Sequence, residues 1–283
     1  MNGIFDDLKN AFKQQDNSLV QIILVNVLIF VIINCLDVIL TVFFFDKQTY
    51  LFIKSQLLLP ASLPKFLYHP WTILSYAFVH ESFMHILFNM LFLYWFGKLI
   101  QEYLGSKRVV SLYILGGIVG GVLYMALYNL VPFYHNRVAT SEMLGASAGV
   151  YAIVTAAATL VPNYTFHLLF LGPVRIKYIA LVYILLSFFG IKEVNAGGNI
   201  AHLGGALLGF IFIASLRKGN DLGTPIHSVI DWIASLFQRR KLKVAYKPPK
   251  EKVATAKSYG KANQKSTSNT NIPNQDEIDA ILD

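Results

Sequence analysis

Long apolar runs constrain this chain before anything else does. From Leu19 to Phe45 the only charged residue is Asp37, and a bilayer needs roughly 20 apolar residues per crossing helix. Further runs follow at about 71–99, 109–131, 145–162, 178–189 and 199–216. In lipid such runs are stable only where every backbone polar group pairs internally, which a helix achieves. The runs therefore predict an all-α, polytopic membrane protein of six helices. Composition agrees: 14% of residues are charged, against about 25% in soluble domains.

Net charge is +8, and half of the 24 Lys and Arg lie from Arg217 onward. With no basic groove interleaved with aromatics, that tail reads as a cytoplasmic segment beside anionic lipid and not as a nucleic-acid site. Six crossings put both termini on one side. Lys9, Lys13, Lys98, Lys107, Arg108, Arg175, Lys177, Arg217 and Lys218 then gather together, which makes that side the cytoplasm. The first run is too long for a signal-peptide core and is read as a retained anchor. Cys35 is the single cysteine, so neither an internal disulfide nor a zinc-type spacing is available.

Four regions result. Residues 1–18 form a cytoplasmic N-terminal segment, with Ile4, Phe5, Leu8 and Phe12 on one face of a short helix. Residues 19–217 hold the six-helix domain. Residues 218–246 are an amphipathic basic juxtamembrane segment: Ile226, Val229, Ile230, Ile233, Leu236 and Phe237 recur at helical spacing over 225–240. Residues 247–283, rich in Lys, Ser, Asn and Pro, read as a disordered cytoplasmic tail. Within the large domain, 46–70 forms a long loop with apolar patches lying in the interface. Residues 163–177 form an interfacial connection broken at Gly172-Pro173. Asp37 is expected near a helix end or a wet cavity.

Polar residues inside apolar spans need a reason. Ser147 sits in Gly145-Ala146-Ser147-Ala148-Gly149 at the start of the fourth span, where free helix N–H groups and the helix dipole favour an oxyanion. A nucleophilic serine needs a base, and His202 lies beside a ridge of small residues in the sixth span, Gly197, Ala201, Gly205 and Gly209. In the second span His85 and Asn89 are four apart on one helix face, with His80 nearer the helix start. Tyr151, one turn beyond Ser147, fits either packing on His202 or ordinary aromatic packing between helices. The pattern also fits the G-x-S-x-G elbow of α/β-hydrolases, but that motif needs a preceding strand and a soluble α/β chain; here a polar loop and a membrane span flank it.

Taken together, three motifs resemble the rhomboid family of intramembrane serine proteases, in its six-helix bacterial form. They are His80-x4-His85-x3-Asn89, Gly145-Ala146-Ser147, and Gly197-x3-Ala201-His202-x2-Gly205-x3-Gly209, and the resemblance covers about 70–217. It implies that Ser147 is the nucleophile and His202 the general base and acid. It implies that His85, Asn89 and the Ser147 backbone N–H stabilise the oxyanion, and that His80, Tyr151, Gly145 and Gly205 support the site. It implies no metal and no cofactor, a water-filled cavity open to the non-cytoplasmic side, and a gate between the second and fifth helices. The implied partners are the lipid bilayer and transmembrane protein substrates, cleaved within or next to their membrane helix, in the bacterial inner membrane. Two positions depart from the family pattern. Ala148 follows the serine where Gly is frequent, and its methyl group threatens to crowd the oxyanion site. Thr72 follows Trp71 where Arg is common, and is expected to loosen the first loop. The alternative is an inactive rhomboid-like protein that binds transmembrane helices; such members usually lack the serine or the histidine. A solute transporter is disfavoured by the absence of symmetric halves and the scarcity of intramembrane carboxylates.

Overall fold

The computed structural model describes residues 17–168 and 172–237. The expected N-terminal helix face, the basic cluster Arg239–Lys243 and the tail from 247 lie outside the described residues.

Helices dominate. Helix α1 (Ser18–Val38) runs on through a π-helical turn, Ile39–Phe43. Asp37 lies where the two meet, inside a helical stretch that continues to Phe43 and not at its end, and accepts a hydrogen bond from Thr41 Oγ1 at 2.9 Å. The first loop folds into α2 (Lys47–Ser55), β1 (Leu59–Pro60), α3 (Leu63–Tyr68) and α4 (Thr72–Ser75), closed by a 3₁₀ turn at Tyr76–Phe78. Asp46 caps α2 by accepting from the Thr49 N–H at 3.0 Å. Hydrogen bonding by the Thr49 side chain and backbone holds this carboxyl below the ordinary carboxylate range.

Two long helices follow, α5 (Phe83–Leu104) and α6 (Ser106–Leu130). Strand β2 (Glu142–Met143) pairs antiparallel with β1, Leu59 opposite Met143. Helix α7 (Ser147–Leu160) is next, then a hairpin of β3 (Thr165–Leu168) and β4 (Gly172–Arg175). Helices α8 (Ile176–Phe189), α9 (Ala196–Arg217) and α10 (Thr224–Phe237) complete the described chain. Four helical stretches, 18–43, 83–104, 106–130 and 196–217, are long and apolar enough to cross a membrane. Helices α7 and α8 have 14 residues each.

Two expectations need correction. The second span does not begin at Trp71. Residues 71–82 are apolar enough to read as helix, but Val79 and Ser82 are extended, and the Ser82 hydroxyl caps α5 by accepting from the His85 N–H. His80 therefore lies in the extended lead-in to α5 and not on the helix. The connection over 163–177 is a β-hairpin, so short sheets accompany the helices.

Several hydrogen bonds hold the first loop in place with threonine at position 72. Trp71 Nε1 donates to the Gln56 carbonyl at 2.8 Å, Ser75 Oγ to Leu57 at 2.9 Å, and Lys65 Nζ to Ala139 at 2.8 Å. Asn129 Nδ2 reaches the Ala61 carbonyl from α6. Thr72 itself is fully buried and donates to the His69 carbonyl.

Helix α6 is the hub against which this loop, α1, α7 and α9 pack. Tyr76 donates across to the Gly117 carbonyl at 2.7 Å. Buried Tyr113 donates to the Ala77 carbonyl at 2.7 Å, with Asn26 Oδ1 at 3.2 Å. A Tyr113→Phe substitution strips both acceptors of this donor, and a buried acceptor left unpaired costs about 1–2 kcal/mol. We expect a lowered midpoint of thermal unfolding in detergent micelles. On the opposite end, α10 docks on α6 through His227 Nε2, 2.8 Å from Ser111 Oγ, and the turn before it through Arg108–Asp221 at 3.0 Å. Its Val229, Ile230, Trp232 and Ile233 stay exposed, the apolar face expected of an interfacial helix.

Candidate active site

Small residues bring three helices close enough to build the site. A Cβ on Gly205 of α9 would strike the carbonyl of Ala148 on α7, and one on Gly209 the carbonyl of Ala152. Gly204 lies against Gly120 of α6, and Gly197 against the Tyr124 ring. The ridge read from the sequence thus presses α9 into the angle between α6 and α7. That approach sets His202 opposite the first residue of α7. His202 Nε2 lies 2.7 Å from Ser147 Oγ.

The start of α7 is shaped for a backbone donor. Gly145 has φ +123°, a conformation that L side chains rarely adopt, and a Cβ there would sit 2.9 Å from His85 Nε2. Its N–H is held by the Tyr76 carbonyl at 2.9 Å. Ser147 is the first helical residue, and the helix's own bonding begins with Val150 N–H to Ala146. The Ser147 N–H is therefore left over by the helix.

Ala148 does not crowd this point. Its methyl group faces Gly120, where an added Cβ would come within 2.7 Å of it. The extra methyl is accommodated by a glycine on the facing helix, away from the cavity.

An open cavity of 910 Å³ is lined by Ser147 and His202 together with His85, Asn89, Tyr151, Tyr124 and Tyr183, with Lys54, Glu81 and Glu142 also on its wall. Asn89 spends one amide N–H on the His85 carbonyl at 2.8 Å, leaving its second donor for the cavity. His80 is buried and does not line the cavity; its ring meets the His85 ring edge-on at 5.1 Å. Tyr151 stacks on the His202 ring at 4.2 Å and 9°.

One residue escaped the sequence reading. Ser187, 2% exposed on α8, has its Oγ 3.1 Å from His202 Nδ1 and 2.8 Å from the Tyr151 hydroxyl. The signal was present: a hydroxyl inside the apolar run Ile184-Leu185-Leu186-Ser187-Phe188-Phe189.

Chemically, the arrangement offers a hydroxyl in contact with an imidazole nitrogen, a spare backbone N–H beside it, and two further polar side chains on one wall of an open cavity. That is the equipment for nucleophilic attack on a carbonyl with capture of the resulting oxyanion.

Comparison with known proteins agrees in extent. The family model described as "Rhomboid domain" matches residues 68–219. The chain is 31% identical over 157 residues to RHOMBOID-like protein 12, mitochondrial, of Arabidopsis thaliana, covering 52% of this chain and 47% of that one. It is 30% identical over 158 residues to Rhomboid protease GlpG of Haemophilus influenzae, covering 54% and 73%. With Rhomboid protease GluP of Bacillus subtilis it shares 26% over 167 residues, covering 58% and 30%. The aligned part spans about half or less of the length of several of these curated relatives.

Proposed function

Since the chain belongs to the rhomboid family of integral membrane proteins, we propose that it is a serine endopeptidase cutting membrane-anchored proteins within or next to their transmembrane helix. The observation that carries this reading is the 2.7 Å contact between Ser147 Oγ and His202 Nε2 on the wall of an open cavity. His202 takes the Ser147 proton, Ser147 attacks the scissile carbonyl, and an acyl-enzyme forms. His202 then protonates the leaving amine and activates the water that releases the acyl group. The Ser147 N–H, the His85 imidazole and the Asn89 amide bind the oxyanion.

The protease unit covers 19–217, six crossing helices with both termini cytoplasmic in a bacterial inner membrane. Helix α10, Thr224–Phe237, lies along the cytoplasmic surface. In this reading the shortness of α7 has a purpose. Fourteen residues span about 21 Å, less than the roughly 30 Å hydrocarbon layer. The Ser147 end then lies below the membrane surface, and the cavity brings water down to it. A substrate helix hides its amides in its own hydrogen bonds, so it must unwind locally before it can be cut. Phe92 of α5 stacks on Tyr183 of α8 at 4.6 Å, filling the gap through which such a helix would enter from the bilayer.

The test is cleavage of a reporter transmembrane protein in proteoliposomes, with products mapped by mass spectrometry. Wild type is expected to cut inside or beside the apolar segment. A His85→Ala variant is expected to lose about 10²-fold in kcat with little change in KM, the usual effect of removing one oxyanion donor. Absence of cleavage by folded wild type across several such substrates would refute the reading.

A further inference from the structure

We infer that Ser187 is a positioning residue that sets which nitrogen of His202 carries the proton. The inference rests on the reading of Ser147 and His202 as nucleophile and base. It begins from a count of donors along one chain of contacts. The Tyr183 carbonyl can only accept, and the Tyr151 hydroxyl lies 3.3 Å from it as donor. With its one proton used there, the Tyr151 oxygen has only lone pairs to offer Ser187, 2.8 Å away. Ser187 must then donate to Tyr151. Its own oxygen, 3.1 Å from His202 Nδ1, is left as an acceptor.

The consequence falls on the imidazole. A neutral imidazole has one N–H and one bare nitrogen, and the bond made by one nitrogen decides the state of the other. An acceptor at Nδ1 keeps the proton on Nδ1. Nε2 is then bare where it meets Ser147 Oγ at 2.7 Å, as a general base must be. Once Nε2 has taken the serine proton, the Nδ1–H remains bonded to Ser187. The chain Tyr183 carbonyl–Tyr151–Ser187 thereby does with neutral groups what an aspartate does in a triad, where the wrong tautomer alone abolishes most of the rate. The opposite wiring, Tyr151 donating to Ser187 and Ser187 to Nδ1, would leave the proton on Nε2 and disable the base. The Tyr183 carbonyl is what selects between the two.

Helix α8 thus supplies no reacting atom and still controls the base. It turns Leu181, Val182, Leu185, Leu186, Phe188 and Phe189 outward, and presents Tyr183 and Ser187 inward to the other helices.

The experiment pairs a spectroscopic readout with kinetics. Nitrogen-15 NMR of histidine-labelled protein, assigned with a His202→Gln variant and recorded in the Ser147→Ala background, reads the tautomer without any need for activity. The expected signal is Nδ1–H for His202, shifting toward Nε2–H in Tyr151→Phe, where the freed Ser187 proton turns to Nδ1. In the enzyme with Ser147 intact, Ser187→Ala is expected to lower kcat about tenfold with KM within about twofold, and Ser187→Thr to restore most of it. The double variant Tyr151→Phe/Ser187→Ala should be no slower than the worse single variant, because the chain acts as one unit. A His202 tautomer unmoved by Tyr151→Phe, or unchanged kcat in Ser187→Ala, overturns the proposal. An Nδ1–H signal that moves in Tyr151→Phe, together with a folded wild type that cleaves nothing, would refute the protease reading and support the wiring.

Discussion

Replacing Ser147 by alanine lowers the cleavage rate by about 10⁴-fold or more while leaving the fold intact. The large effect follows from chemistry: among the described residues the hydroxyl in contact with His202 Nε2 is that of Ser147, so without Oγ the base loses the nucleophile it activates. Residual rate comes from oxyanion donors and binding alone, and such remainders are small beside the intact machinery. The small structural effect follows from position. Ser147 is the first residue of α7, half-buried on the cavity wall, and alanine is the best helix former there. His202→Ala should cost a similar factor, and the double variant little more, since each single change already disables the pair. The measurement is product formation per unit of folded protein, with thermal unfolding as the control for integrity.

The second large effect is at Gly205. A methyl group there would collide with the Ala148 carbonyl, and this neighbour is backbone, which cannot swing aside as a side-chain tip can. Helices α7 and α9 must separate, at a cost of about 1–3 kcal/mol for overpacking. Activity should fall further than stability, because Ala148 adjoins Ser147 and His202 is three residues from Gly205 on the same helix. Misplacement by about 1 Å can cost on the order of 10²-fold in rate. Gly209→Ala offers the comparison. Its Cβ would strike Ala152, about one turn farther along both helices, so it should destabilise the fold comparably while disturbing the dyad less. Equal losses of activity in the two variants would argue that the ridge only holds the helices together.

Much of this site was legible because a membrane span makes polar residues conspicuous. Ser147, His202, His85 and Asn89 stand out against apolar neighbours, and the four-residue spacing of Gly197, Ala201, Gly205 and Gly209 announces a close helix contact. Other features depend on pairings that one sequence does not display. Trp71 to Val79 is as apolar as a helix, so hydropathy extends the second span through a segment whose backbone is in fact partly extended. The β1–β2 clamp joins Leu59 to Met143 across more than eighty positions. The Ala148 methyl reads as a hazard until Gly120 is seen opposite it on α6. Ser187 reads as one more helix residue until Tyr151 and His202 are seen on either side of its oxygen.

The central claim, that Ser147 is an activated nucleophile, is tested most directly by a fluorophosphonate probe on purified protein in detergent, comparing wild type with Ser147→Ala and His202→Ala. Labelling of wild type alone, with the adduct mapped to Ser147, is the predicted result. Correctly folded wild type that takes no label and cuts no transmembrane substrate would contradict it, and would make the chain a binder of membrane helices and not a protease.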